Sequence, residues 1–237
     1  MASGRIALLC LLGLLLVAAS PAAIAAKDDK IFYQITFMWP GAYCAQTKAG
    51  CCMPKTDVAP ASDFYVAGFT VYNATTNSSL SSCSNTPFDM NQKGWKNAWE
   101  TSGVCSDLTE SAYFDTALAL RDKINPLSRL VSNGIKPDFG LYSVKKIKEV
   151  IEEGIGAPAL IQCSKGPFNK FQLYQIYVCV AEDAKTFVEC PSPRKPYTCG
   201  DDILFHPFKK WMLKTNSTKS YAAADAIDQL LEAVMEI

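Results

Sequence analysis

Histidine is almost missing from this chain, with one residue, His206, among 237. Any mechanism that needs two imidazoles trading protons near neutral pH is thereby excluded. An excess of either charge is missing too, since 23 Lys and Arg face 23 Asp and Glu. That balance argues against a dedicated nucleic-acid clamp, whose footprint would be basic. No Gly-rich phosphate loop, HExxH helix or GxSxG elbow occurs. CxxC pairs do not recur and no His stands beside the cysteines, so a zinc site is not expected, nor is another metal or cofactor. With 49% hydrophobic residues the chain is far too apolar for disorder, and its length suits one medium domain.

The abundant features set a compartment. Arg5 precedes an apolar run, Ile6 to Ala19, then Ser20, Pro21 and small residues ending Ala23-Ile24-Ala25-Ala26. This pattern predicts a cleaved secretory signal over residues 1–26, and the run is short against the ~20 residues of a membrane span. No later segment approaches a span, so a secreted product is expected, with the vacuole as a second destination. Removing the signal deletes Arg5 and Cys10, which leaves a charge of 22 − 23 = −1 and nine cysteines. In an oxidising compartment these read as disulfides, and the odd count leaves one thiol free or bonded to another molecule. Three sequons, at Asn73, Asn77 and Asn216, offer glycan acceptors.

Strand-like runs rich in β-branched and aromatic residues span Ile31–Met38, Phe64–Val71, Ala159–Cys163, Phe171–Val180 and Phe187–Cys190. Helical spacing occupies the middle. Asp107 and Glu110 resemble a cap pair ahead of Tyr113, Phe114, Ala117, Leu118, Arg121 and Ile124. Asn125-Pro126 opens a second helix that Gly134 stops, and Ser143 caps a third that Gly154 ends. Strands, helices and strands again predict an α+β domain over 27–208. Residues 209–237 read as a C-terminal extension, whose stripe of Ile227, Leu230, Leu231 and Val234 predicts either a surface helix docked on the domain or a removable sorting or pro-segment.

Phe37-Met38-Trp39-Pro40-Gly41-Ala42-Tyr43-Cys44, followed by Cys51-Cys52, resembles the first strand of the ribonuclease T2 family, in particular its plant S-like members. The likeness continues through Ala61-Ser62-Asp63-Phe64, then Trp95, Trp99, Glu100, Gly103 and Cys105. Beyond these it takes in Ile161-Gln162-Cys163, Gln172 to Cys179, and Val188-Glu189-Cys190-Pro191. It implies an antiparallel sheet flanked by helices, stapled by disulfides. It also implies the pairs Cys44–Cys51, Cys83–Cys105, Cys163–Cys199 and Cys179–Cys190. Cys52 is then the free thiol, able to link two copies, because a longer stretch carrying its partner is missing between Cys83 and Cys105.

The resemblance also locates the catalytic segments, and there the chain departs from the family. The family's approximate IHGLWP reads Val66-Ala67-Gly68-Phe69-Thr70-Val71, with Ala67 at the His and Thr70-Val71 at the Trp-Pro. Its approximate HEWEKHGTC reads Asn97 to Cys105, with Asn97 and Ser102 at the two His, Ala98 at the Glu and Thr101 at the Lys. Such enzymes cut RNA by attack of the 2′-hydroxyl, with imidazoles as base and acid. Alanine has no titrating proton, and Asn, Thr and Ser are no bases near neutral pH without an activating partner. The expectation is a scaffold without its catalyst, serving in stress, storage or defence. Two alternatives stand beside it: a groove that binds RNA or nucleotides by stacking on Trp39, Tyr43 or Trp99, and a weak hydrolase using Glu100 or Ser102. His206, outside both segments, is expected at the surface or on an edge strand.

Overall fold

The computed structural model describes residues 30–46, 51–54, 58–89, 93–193 and 198–214. The expected signal peptide, Asn216 and the stretch 222–237 lie outside the described residues.

Strand β1 (Ile31–Met38) alternates from Tyr33 onward, with Tyr33, Ile35 and Phe37 buried and Gln34, Thr36 and Met38 half-buried on the other face, while Ile31 and Phe32 at its start are both buried. That alternation makes it a central strand. It pairs antiparallel with β3 (Tyr65–Asn73) on one side and β7 (Phe171–Val180) on the other. The sheet runs β4 (Ser78–Ser79), β3, β1, β7, β9 (Asp202–Leu204), β5 (Leu141–Ser143). Strands β6 (Leu160–Lys165) and β8 (Phe187–Val188) also pair with β7. All these pairings are antiparallel except one short parallel contact, Gln172 with Leu204. A separate parallel pair joins β2 (Cys51–Cys52) to β10 (Leu213–Lys214).

The helices are α1 (Pro40–Gln46), α2 (Lys93–Thr101), α3 (Glu110–Ile124), α4 (Pro126–Ser132) and α5 (Val144–Ile155). Tyr113, Phe114, Ala117, Leu120 and Ile124 of α3, with Ile147, Val150 and Ile151 of α5, join the inward face of β1 in one apolar core. Trp39 sits in it fully buried, tilted on Phe64 and edge-on to Phe205. Among the described residues a second, smaller cluster gathers Phe32, Cys179 and Cys190, with Tyr72, Leu160 and Val188 packed against it. Four disulfides staple the body: Cys44–Cys51, Cys83–Cys105, Cys163–Cys199 and Cys179–Cys190. Cys52 is free and exposed on β2.

Several expected boundaries shift for local reasons. Thr109, not Asp107, caps α3, its side chain accepting from the Ala112 amide, while Asp107 sits in the left-handed region at φ 54°. Helix α5 runs through Gly154 and ends at Gly156, whose φ of 76° makes the left-handed cap. Gly154 serves a packing need instead: a Cβ there would lie 2.2 Å from Nη1 of Arg129. The Arg129 guanidinium bonds the carbonyls of Ile124 and Lys123, so it closes the end of α3 from the next helix. Asn125 caps α4 and Ser143 caps α5, as their positions predict. The packed body continues past Phe208, because Met212 and Leu213 are buried and β10 pairs with β2. Among the described residues no helix is long and apolar enough to cross a membrane.

Candidate functional site

Strand β3 carries the first motif segment. Thr36 pairs with Gly68 and Phe37 with Val66, so Ala67 is the extra residue of a β-bulge and is exposed. Bulges of this kind re-aim a side chain and occur beside active sites. Here the re-aimed side chain is a methyl.

Helix α2 carries the second segment. Asn97, Ala98, Thr101 and the following Ser102 fall along one side of it, at helical spacing. Asn97 and Thr101 are exposed and Ala98 is half-buried. Trp95 and Trp99 turn inward, the Trp95 ring stacked on Phe114 at 4.4 Å and Trp99 edge-on to Tyr113. Gly103 is required by this packing, since a Cβ there would sit 2.2 Å from the Trp99 ring. Glu100 lies on the exposed side of α2, 3.6 Å from Lys96 one turn earlier. Such exposed pairs contribute little to stability.

The two segments meet at Ser102. Its Oγ accepts from the Val71 amide at 3.1 Å, while two residues back along β3 the Phe69 carbonyl accepts from the Tyr113 phenol. Ala67 lies four residues before Val71 on β3, on the order of 13 Å along the strand from it. Burial pushes the Tyr113 phenol up to about 12, with the Ser102 hydrogen bond opposing the rise. It therefore stays protonated at physiological pH and keeps its donor role. In the sequence Val71 stands only at the family's proline position and Tyr113 only on a helix face. One signal was available: a non-proline residue at 71 exposes an amide that must find an acceptor.

The stacking candidates separate. Trp39 is 0% exposed and Trp99 3%, so both expected platforms are core residues, closed to a base. Nε1 of Trp39 is engaged by the His206 carbonyl at 2.5 Å. Only Tyr43, on α1, is exposed, at 40%. His206, expected at the surface or on an edge strand, is instead 2% exposed. Its Nδ1 lies 2.8 Å from the Pro207 carbonyl and its ring meets Phe139 edge-on. Asn73 is 5% exposed and its Oδ1 accepts from the Thr75 and Thr76 amides, closing the β3–β4 turn; this burial speaks against a glycan there. Asn77, half-buried, donates to the Ser192 carbonyl. No group of three or more His, Cys, Asp or Glu among the described residues could hold a metal.

The buried imidazole yields a pH prediction. Burial holds His206 below its ordinary value, the Pro207 hydrogen bond opposing only in part. The unfolded chain therefore binds its proton first, at a pH near 6.5. Stability should be level above that pH and decline as pH falls from about 6.5 toward 5, by at most about 1.4 kcal/mol per pH unit for one proton. Urea midpoints measured across this window should fall for the native chain and stay flatter for His206→Gln. Equal slopes would count against the buried imidazole as the cause.

Fold and site together define a disulfide-stapled α+β protein in which a bulged strand, β3, carries one motif segment and helix α2 the other, joined by the Val71–Ser102 hydrogen bond. The chain belongs to the ribonuclease T2 family, whose sequence model matches residues 30–94 and 89–190. It is 32% identical to Ribonuclease 1 of Arabidopsis thaliana over 231 residues, covering 86% of this chain and 98% of that protein. A Ribonuclease-like storage protein of Panax ginseng is 29% identical over 184 residues, 68% of this chain and 75% of that one. The crystal structure of RNase NT in complex with 5′-AMP superposes with a TM-score of 0.67 at 31% identity, covering 77% of this chain and all of that chain.

Proposed function

We propose that this chain is a secreted ribonuclease T2 homologue that no longer cleaves RNA and serves as a storage, stress or defence protein. The observation that supports this most is the position of the only imidazole: it is buried against Phe139, outside both motif segments. At the motif positions stand Ala67, Asn97, Ala98, Thr101 and Ser102, none of which exchanges a proton near neutral pH. Glu100 has no opposing base, and the Ser102 oxygen is already engaged by an amide. A weak hydrolase on either residue is therefore disfavoured. Losing one proton-transfer group costs on the order of 10²–10⁴ in rate. The similarity to a protein named as ribonuclease-like and storage supports the role, and the disulfides suit a long-lived deposit.

A second reading, nucleotide binding without cleavage, is favoured by the 5′-AMP complex of a relative. The burial of Trp39 and Trp99 leaves Tyr43 as its remaining stacking candidate. In a labelled oligoribonucleotide assay the purified, disulfide-intact protein should match the buffer blank over hours. Cleavage that scales with protein and vanishes in Glu100→Gln would overturn the inactive reading. Saturable binding of 5′-AMP without cleavage would promote the second.

A further inference from the structure

We infer that Val71 and Ser102 are a compensating pair: the hydroxyl at 102 is the acceptor for an amide that exists only because residue 71 is not proline. The consequence for the motif positions rests on the inactive reading above, whereas the pairing itself rests on geometry alone.

Both backbone groups of Val71 point away from β1. Its amide donates to Ser102 Oγ at 3.1 Å, and its carbonyl accepts from the Leu80 amide at 2.8 Å. Val71 opposite Tyr33 is thus a non-hydrogen-bonded position of the β1–β3 ladder. A proline there would remove no ladder bond, which is the one way proline is tolerated inside a sheet. The family's approximate IHGLWP ends in proline at this position, and its second histidine falls at 102. Valine instead brings an N–H, and that N–H is buried: Val71 is 0% exposed and Ser102 7%. Water does not reach it, so an acceptor must come from the protein.

Ser102 meets the requirement: its oxygen takes the Val71 amide. Two residues back, the Tyr113 phenol donates to the Phe69 carbonyl, so two side chains satisfy the outward backbone groups of β3 at residues 69 and 71. A hydroxyl can accept and donate at once through a single small atom. Side chains without an acceptor at 102 would leave the Val71 amide orphaned. The residue at 102 has therefore become architectural: as long as residue 71 keeps its N–H, position 102 must supply an acceptor of matching reach.

The test is a double-mutant cycle of Ser102→Ala and Val71→Pro by urea denaturation, with amide hydrogen exchange at Val71 followed by NMR. Ser102→Ala alone should lower the folding equilibrium constant on the order of ten-fold, the effect of orphaning one buried amide. In the Val71→Pro background the same change should cost several-fold less, because no amide is left to orphan. Exchange at Val71 should quicken about ten-fold in Ser102→Ala while the Ile35 amide of β1 keeps its protection. Additive costs, or unaltered protection at Val71, would overturn the pairing. Should Val71→Pro not fold, the exchange measurement decides by itself. Both readouts ignore RNA, so a chain found to cleave RNA leaves the pairing intact, and an additive cycle leaves the reading of activity intact.

Discussion

Trp39→Ala should be the most damaging single substitution in the core. The ring is fully buried between Phe64 and Phe205, and its Nε1 satisfies the His206 carbonyl across 167 positions of sequence. Truncating a buried Trp costs about 3–5 kcal/mol, a large share of the 5–15 kcal/mol that holds a domain folded. For a domain of this size that is on the order of 10 °C in Tm. Trp39→Phe separates the two contributions. It retains most of the apolar area and leaves the carbonyl unpaired, for a loss of about 1–3 kcal/mol. Thermal and urea unfolding of both variants would check the ordering, and a Trp39→Ala cost below 1 kcal/mol would contradict this account of the core.

The second large effect concerns the staples. Loop-closure entropy grows with the span closed, so the four disulfides should rank by sequence separation: 36 for Cys163–Cys199, 22 for Cys83–Cys105, 11 for Cys179–Cys190 and 7 for Cys44–Cys51. The chain-entropy relation puts the longest near 4 kcal/mol and the shortest near 2.5 kcal/mol, each by order of magnitude. Paired Cys→Ala replacements should follow this order in denaturant midpoint. If the Cys44–Cys51 pair proved costlier than Cys163–Cys199, native-state packing rather than unfolded-chain entropy would govern these bonds. The longest bridge also carries a structural duty, since it ties β6 to the segment leading into β9.

Much of the frame is legible along the chain. The period-two run of β1 and the apolar length of β7 mark the two central strands, because a strand buried on one or both faces writes that burial into its residue types. The caps at Asn125 and Ser143 are local hydrogen bonds over three residues and are readable for that reason. What eludes sequence reading is short or borrowed from afar. Helix α1 begins one residue after β1 with no capping residue of its own, yet its Trp39–Tyr43 hydrogen bond and buried Ala42 hold it. Strands β5 and β9 have three residues each, too few for a period to register. Gly154 looks like a helix stop and is instead a seat for Arg129 of another helix.

The sequence alone determined that two imidazoles cannot act together here, and that cysteines placed in family order would staple an α+β frame. Those are matters of which atoms exist and in what order, and folding cannot add a titrating group. Only the tertiary structure decided that Trp39 and Trp99 are core rather than platforms, that His206 is buried, and that Ser102 turns its hydroxyl to an amide 31 residues away. Each of those depends on a partner brought from a distant part of the chain, and burial and hydrogen bonding have no value until that partner arrives.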